Sequence, residues 1–146
     1  MELMIATHPH EDHIGGLDNI LNAFSVEQII DSRDIHTSKT YTEYINAVAI
    51  EKKNGAKCFL DTDATFDLAN GINFKVIELG DGYKNTNNNS VVAMLDYNNA
   101  EILFTGDLES DVEIPNLAKF TDIELFKVGH PGSRTATSQE FYTKRF

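Results

Sequence analysis

Thr7-His8-Pro9-His10-Glu11-Asp12-His13-Ile14-Gly15-Gly16 sets three histidines and two carboxylates between positions 8 and 13, directly behind the apolar run Leu3-Met4-Ile5-Ala6. A short apolar run bounded by a turn signal fits a buried strand. His8 and His10, two apart in an extended segment, project their rings to one side. Asp12 and His13 follow in the turn before a helix, where Gly15-Gly16 lets the backbone bend sharply. Neutral imidazoles and carboxylate oxygens suit Zn²⁺, Mn²⁺ or Fe²⁺. Asp12 also suits orienting a metal-bound water and accepting its proton. The plain alternative is a polar surface turn that holds its histidines by chance. Three of the chain's five histidines crowd this stretch, with only His36 and His130 elsewhere, so the metal reading outweighs it.

Outward from this stretch the chain alternates in an α/β rhythm. Leu17, Ile20, Leu21 and Phe24 have helical spacing, and Val26–Ile30 reads as the next strand. Tyr41 to Lys53 presents Tyr41, Tyr44, Ile45, Val48 and Ala49 on one helical face, stopped by Asn54-Gly55. Lys57–Leu60 and Ile72–Leu79 read as strands, followed by a polar loop from Gly80 to Asn89. Ser90–Tyr97 and Ala100–Thr105 flank Asn98-Asn99 as a hairpin. Leu108–Phe120 is helical in part and broken near Pro115. Ile123–Val128 is the last strand and Ser138–Phe146 a closing helix. Taken alone, Asn87-Asn88-Asn89 reads as a flexible loop tip. No repeat or linker divides residues 1–146, which form one domain of α/β class.

Asp107 emerges from the apolar strand end through Gly106, a position from which a carboxylate can bridge two cations. An Asp there is also a common helix N-cap. His130 leaves the end of its strand in the same way, where a lone histidine is usually a solvated side chain. Gly132-Ser133-Arg134-Thr135 offers backbone N–H groups, two hydroxyls and a guanidinium, a set suited to phosphate. An ordinary turn reads equally well there.

Composition bounds the function. The chain of 146 residues has 41% hydrophobic and 24% charged residues, as ordinary globular proteins do. No run of about 18 apolar residues is present to span a membrane. Met1-Glu2-Leu3-Met4-Ile5 lacks the basic start and apolar stretch of a signal peptide, which makes the cytoplasm the default expectation. Cys58 is alone, excluding an intramolecular disulfide and a cysteine-rich zinc knuckle, and is expected as a buried thiol. The net charge of −11 argues against tight non-specific binding to polyanions. It is uneven: residues 1–118 carry 7 Lys+Arg against 20 Asp+Glu, and residues 119–146 carry 5 against 3. Bound divalent cations can reverse the sign of the field within a site.

The His-x-His-x-Asp-His string resembles the signature of the metallo-β-lactamase superfamily. Further along, Asn87-Asn88-Asn89-Ser90-Val91-Val92, Leu103-Phe104-Thr105-Gly106-Asp107-Leu108-Glu109 and Phe126-Lys127-Val128-Gly129-His130-Pro131-Gly132-Ser133-Arg134-Thr135 resemble successive motifs of one branch. That branch is the soluble domain of the ComEC family of DNA-uptake competence proteins and its stand-alone relatives. The resemblance implies an αβ/βα sandwich. It implies one or two divalent ions, Zn or Mn, with His8, His10 and Asp107 on one and Asp12, His13, Asp107 and His130 on the other. Asp12 and Asp107 are then the catalytic carboxylates.

The chain also departs from the family pattern. The middle metal histidine of most members aligns at Asn89-Ser90, which join Ser133, Arg134 and Thr135 as substrate-binding candidates. Pro131 stands where relatives usually have a second histidine. Family domains begin with strands ahead of the first motif and continue past the last, so a partial domain is expected here. An open apolar sheet edge would then favour self-association. The implied function is hydrolysis by a metal-bound hydroxide of an anionic substrate, DNA or a small phosphodiester, with the acidic surface favouring a small one. The alternative is a catalytically impaired binding or assembly module. A flavodiiron-like redox protein needs more carboxylate in the first motif and a flavin domain.

Overall fold

Strand polarity divides the chain into halves. The computed structural model describes residues 1–69, 71–131 and 133–145, with the backbone alone for Ala69 and Arg145. In the first half β1 (Leu3–Ala6), β2 (Gln28–Asp31) and β3 (Lys57–Leu60) form a parallel sheet in that order. Their crossovers are α1 (Glu11–Ile14) with α2 (Leu17–Ala23), and then α3 (Lys39–Asn54). The second half is a five-stranded sheet, β4 (Ala64–Ala69), β5 (Ile72–Ile77), β6 (Val92–Tyr97), β7 (Ala100–Phe104) and β8 (Leu125–Lys127). It is antiparallel until β8, which joins β7 in parallel. Helix α4 (Ser110–Glu113) runs into a 3-10 turn at Ile114–Lys119, and α5 (Gln139–Arg145) follows β8.

Alternation along the strands builds four layers. Met4, Ala6 and Ile29 face Leu21, Tyr44 and Ala47 of the first helices. Their neighbours Leu3, Ile5 and Ile30 turn the other way, onto Phe66, Phe74, Val76 and Val91 of the second sheet. The far face of that sheet carries Ile77, Val92 and Leu103 against Val112, Leu117, Phe120 and Phe141. Both sheets are therefore buried on both faces, in helix–sheet–sheet–helix order. This is the sandwich the resemblance implied.

The expected elements are present with shifted ends, and three were not anticipated, among them a 3-10 turn at Thr86–Asn89. Residues Ala64–Ala69 form β4, whose Ala64, Phe66 and Leu68 point between the sheets; aspartates flanking and interrupting that alternation hid it. The turn after His10 is one short helix, α1. Pro115 does convert the helix after Ser110 into a 3-10 turn. Cys58 is half-buried on an edge strand rather than enclosed. Strands β1, β3, β4 and β8 border the sheets, the edges on which the expectation of self-association bears. No helix among the described residues is long and apolar enough to cross a membrane.

Candidate metal centre

Parallel pairing delivers the first motif to the junction of the halves. Beyond Ala6 the chain leaves the strand and bends at His8-Pro9 rather than running on extended, and the Thr7 carbonyl accepts the Val91 N–H at 2.8 Å, tying it to the start of β6. His8 is then completely buried. The His10 carbonyl accepts from the N–H groups of His13 and Ile14, both at 3.0 Å, and this turn folds His13 back over His8. The His8 and His13 ring centroids are 4.1 Å apart.

Asp107 Oδ2 is the meeting point. His13 Nε2 lies 3.2 Å from it, His130 Nε2 3.8 Å and His8 Nε2 3.9 Å. His10 Nδ1 lies 3.0 Å from His8 Nε2, and Asp12 Oδ2 3.7 Å from His13 Nε2. The candidate ligand atoms of His8, His13 and Asp107 fall within 4.8 Å of one another. Asp107 is 4% exposed, yet its Oδ1 has no hydrogen-bond partner among the described residues. A buried carboxylate with an idle oxygen is costly alone, and a cation shared with imidazoles relieves it. The residues present fit a divalent ion.

The rings are held by hydroxyls behind them. Thr7 Oγ1 lies 3.3 Å from His8 Nδ1 and 3.2 Å from His13 Nδ1. Ser90 Oγ lies 3.3 Å from His8 Nδ1 and accepts the Asp107 N–H at 3.1 Å. In the tautomers with protons on both Nδ1 atoms, donated to these oxygens, the Nε2 lone pairs would face Asp107. Burial, then the charges of His13 and His10, push His8 down to about 4, so its ring is neutral near pH 7, as a ligand must be. Sequence reading missed Thr7; its signal was only its place before His8. Ser90, expected among substrate contacts, lies against the His8 ring and the Asp107 backbone N–H.

Backbone detail at Gly106 and His130 completes the centre. Gly106 has φ +56°, and a Cβ there would stand 2.8 Å from Ser90 Cβ and 3.2 Å from Thr7 Cβ. Only glycine lets the Thr-Gly-Asp segment pass this close. His130 is itself left-handed at φ +37°, with its N–H donated to the Gly106 carbonyl at 3.2 Å. A non-glycine residue held there stores strain of the kind that clusters at functional sites. Asp107 is not the N-cap of α4, a place taken by Glu109.

Residues 2–142 match the metallo-beta-lactamase superfamily. The chain belongs to this family. Two curated relatives are ComE operon protein 3 of Bacillus subtilis, 26% identical over 97% of this chain, and Recombination protein 2 of Haemophilus influenzae, 29% identical over 95%. The chain spans 18% and 16% of their respective lengths. Among solved structures, Igni18, a metallo hydrolase from Ignicoccus hospitalis, has a TM-score of 0.56 at 14% identity, covering 92% of this chain and 54% of that one; this likeness concerns the fold. Divalent-metal use goes with the family, and His8, His13 and Asp107 form a group that could hold such an ion.

The remaining residues of the metallo-beta-lactamase motifs make contacts of their own around this centre. Asn87, Asn88 and Asn89 are buried in a 3-10 turn, not a loose loop tip. The Asn87 amide lies 3.3 Å from His130 Nδ1. Asn88 accepts the Glu109 N–H at 2.9 Å and donates to Asp111 at 2.9 Å, clasping the segment after Asp107. Asn89, at the aligned position of the middle histidine, spends its amide elsewhere: Oδ1 accepts from the Tyr83 N–H, while Nδ2 donates to the Tyr83 carbonyl and to Asp34. Ser133 Oγ and Thr135 Oγ1 are 2.7 Å apart, and the Thr135 carbonyl accepts the Ser110 N–H at 2.7 Å. Arg134 between them is exposed. Gly132 lies outside the described residues. His36, one of the two histidines outside the first motif, stands with its ring centroid 6.3 Å from that of His10.

Proposed function

We propose that this domain is a divalent-metal-dependent phosphodiesterase with nuclease-like chemistry, acting on DNA or a small phosphodiester. The observation that carries it is the convergence of three histidines on Asp107 Oδ2 while Oδ1 stays buried without a hydrogen-bond partner among the described residues. His8, His10 and Asp107 would hold one cation; Asp12, His13, Asp107 and His130 would hold the other. Zn or Mn suits this donor set, and when bound it supplies an activated water and neutralises developing negative charge. Asp12, exposed beside His13, orients water and accepts a proton. Arg134, on the segment that follows His130, meets the anionic substrate. The names of the two curated relatives are ComE operon protein 3 and Recombination protein 2, and the second of them supports DNA as the substrate class.

A second reading, a metal-holding assembly module without turnover, draws on Asn89, whose amide is engaged with Tyr83 and Asp34 where a further ligand is expected. One experiment separates the two. The purified domain is loaded with Zn²⁺ or Mn²⁺, its metal measured by elemental analysis, and its activity followed on single-stranded DNA and bis(p-nitrophenyl) phosphate. Metal-dependent turnover abolished by His10→Ala supports the phosphodiesterase. Stoichiometric metal with no turnover of either substrate overturns it in favour of the module.

A further inference from the structure

The loop between β2 and α3 carries a residue that nothing above assigns. Because β1 and β2 are parallel, with Ala6 opposite Asp31, the segments leaving them emerge at the same end of the sheet. One carries His8 and His10; the other carries Arg33-Asp34-Ile35-His36. This loop is fixed along its length. Arg33 donates to the Asp61 carbonyl at 2.9 Å, to Asp81 at 2.7 Å and to Glu78 at 3.1 Å. Asp34 accepts from Asn89 Nδ2 at 2.9 Å, and its carbonyl from the Tyr41 hydroxyl at 3.3 Å. Ser38 caps α3 by accepting the Tyr41 N–H. What the loop presents outward is Ile35, 87% exposed, beside a half-buried His36 set nearly perpendicular to His10.

The hydrogen bond to His36 decides its role. The Ser38 backbone N–H donates to His36 Nδ1 at 3.2 Å. A nitrogen accepting from a backbone N–H carries no proton, so the neutral ring bears its proton on Nε2. Nε2 is therefore a donor, unable to ligate a cation without first losing that proton. A donor at the rim of a cationic centre suits an oxygen of a bound anion.

We infer that His36 is a substrate-binding residue, its Nε2–H donating to a phosphoryl oxygen of a nucleotide while Ile35 packs against the organic part. The assignment rests on the phosphodiester reading of the same centre. It also explains why Asn89 is spent on Asp34: that amide places the loop.

Three measurements test it. Long-range ¹H–¹⁵N correlation spectra of the metal-free protein at mildly alkaline pH give the His36 tautomer, expected as Nε2–H; the Nδ1–H form overturns the assignment. Elemental analysis of His36→Ala and His36→Gln is expected to match wild type, and loss of metal would make His36 a ligand instead. Titration of thymidine 5′-monophosphate into metal-loaded protein is expected to show about tenfold weaker binding for His36→Ala, roughly one hydrogen bond to a charged group, with part restored in His36→Gln. Ile35→Ser should weaken binding of the nucleotide but not of inorganic phosphate. Wild-type affinity in a folded His36→Ala overturns the assignment and leaves the hydrolase standing. A metal-loaded wild type that neither binds the nucleotide nor cleaves phosphodiesters overturns both.

Discussion

His13 Nε2 lies 3.2 Å from Asp107 Oδ2, joining the first metal motif to the strand end of the other half of the chain. The two sheets are thus linked through a contact that a shared cation would strengthen. Asp107→Asn keeps the shape and removes the charge. We expect it to lower bound metal below half of the wild-type stoichiometry and to shrink the thermal destabilisation that a chelator produces in wild type, since an ion binding only the folded state adds stability by mass action. Elemental analysis and melting curves with and without chelator check both; unchanged metal content would remove Asp107 from the ligand set.

Thr7 touches no candidate cation position, yet its hydroxyl stands behind two rings, at 3.3 Å from His8 Nδ1 and 3.2 Å from His13 Nδ1. Outer partners of metal histidines typically govern affinity by about 10- to 100-fold. Thr7→Val is expected to weaken metal binding in that range while the circular dichroism spectrum stays that of wild type, and Thr7→Ser to keep most of it. Chelator competition supplies the affinities, and equal values for Val and wild type would leave Thr7 a packing residue.

Local spacing made part of this centre legible in the sequence. His8, His10, Asp12 and His13 lie within one turn of chain, and Asp107 announces itself by following an apolar strand and a glycine. Thr7 and His36 gave no comparable signal, and the three asparagines stood out only through the family resemblance, because their contacts arise where separate segments meet. His36 reaches His10 only through the parallel pairing of β1 and β2, and Asn89 reaches Asp34 across the chain. The same holds for β4: Ala64, Phe66 and Leu68 make an ordinary alternation, recognisable only once β5 pairs with it and the first sheet covers it.

Gly106 is a position where a single methyl group should be felt. Its φ of +56° costs a residue with a side chain roughly 1–3 kcal/mol, and the added Cβ would meet Ser90 Cβ at 2.8 Å. Relief by moving Ser90 disturbs the oxygen that accepts the Asp107 N–H. Gly106→Ala should therefore lower the urea midpoint and the metal affinity together. A variant with both at wild-type values would show that the segment has room to shift.

Asp31 and Asp61, at and just past the ends of β2 and β3, give the fold a pH dependence independent of the metal. Burial pushes Asp31 up to about 6, against the opposing hydrogen bond from the Tyr44 hydroxyl at 3.1 Å. Burial, then the charge of Glu78, pushes Asp61 up to about 7, and its Oδ1 has no hydrogen-bond partner among the described residues. In the unfolded chain both ionise near the ordinary aspartate value of about 4. Between about 4 and about 7 the folded state binds more protons than the unfolded one, so their contribution to stability falls as pH rises through that window. It is fully present below the window and gone above it. Asparagine at both positions keeps an acceptor for Tyr44 and the Asp61 carbonyl that holds Arg33, and it cannot ionise. In metal-free protein, the difference in urea midpoint between Asp31→Asn/Asp61→Asn and wild type should move in favour of the variant as pH rises from about 4 to about 8. Taking the difference cancels the histidines common to both proteins. A difference that stays constant with pH would mean that neither carboxyl holds its proton in the folded state.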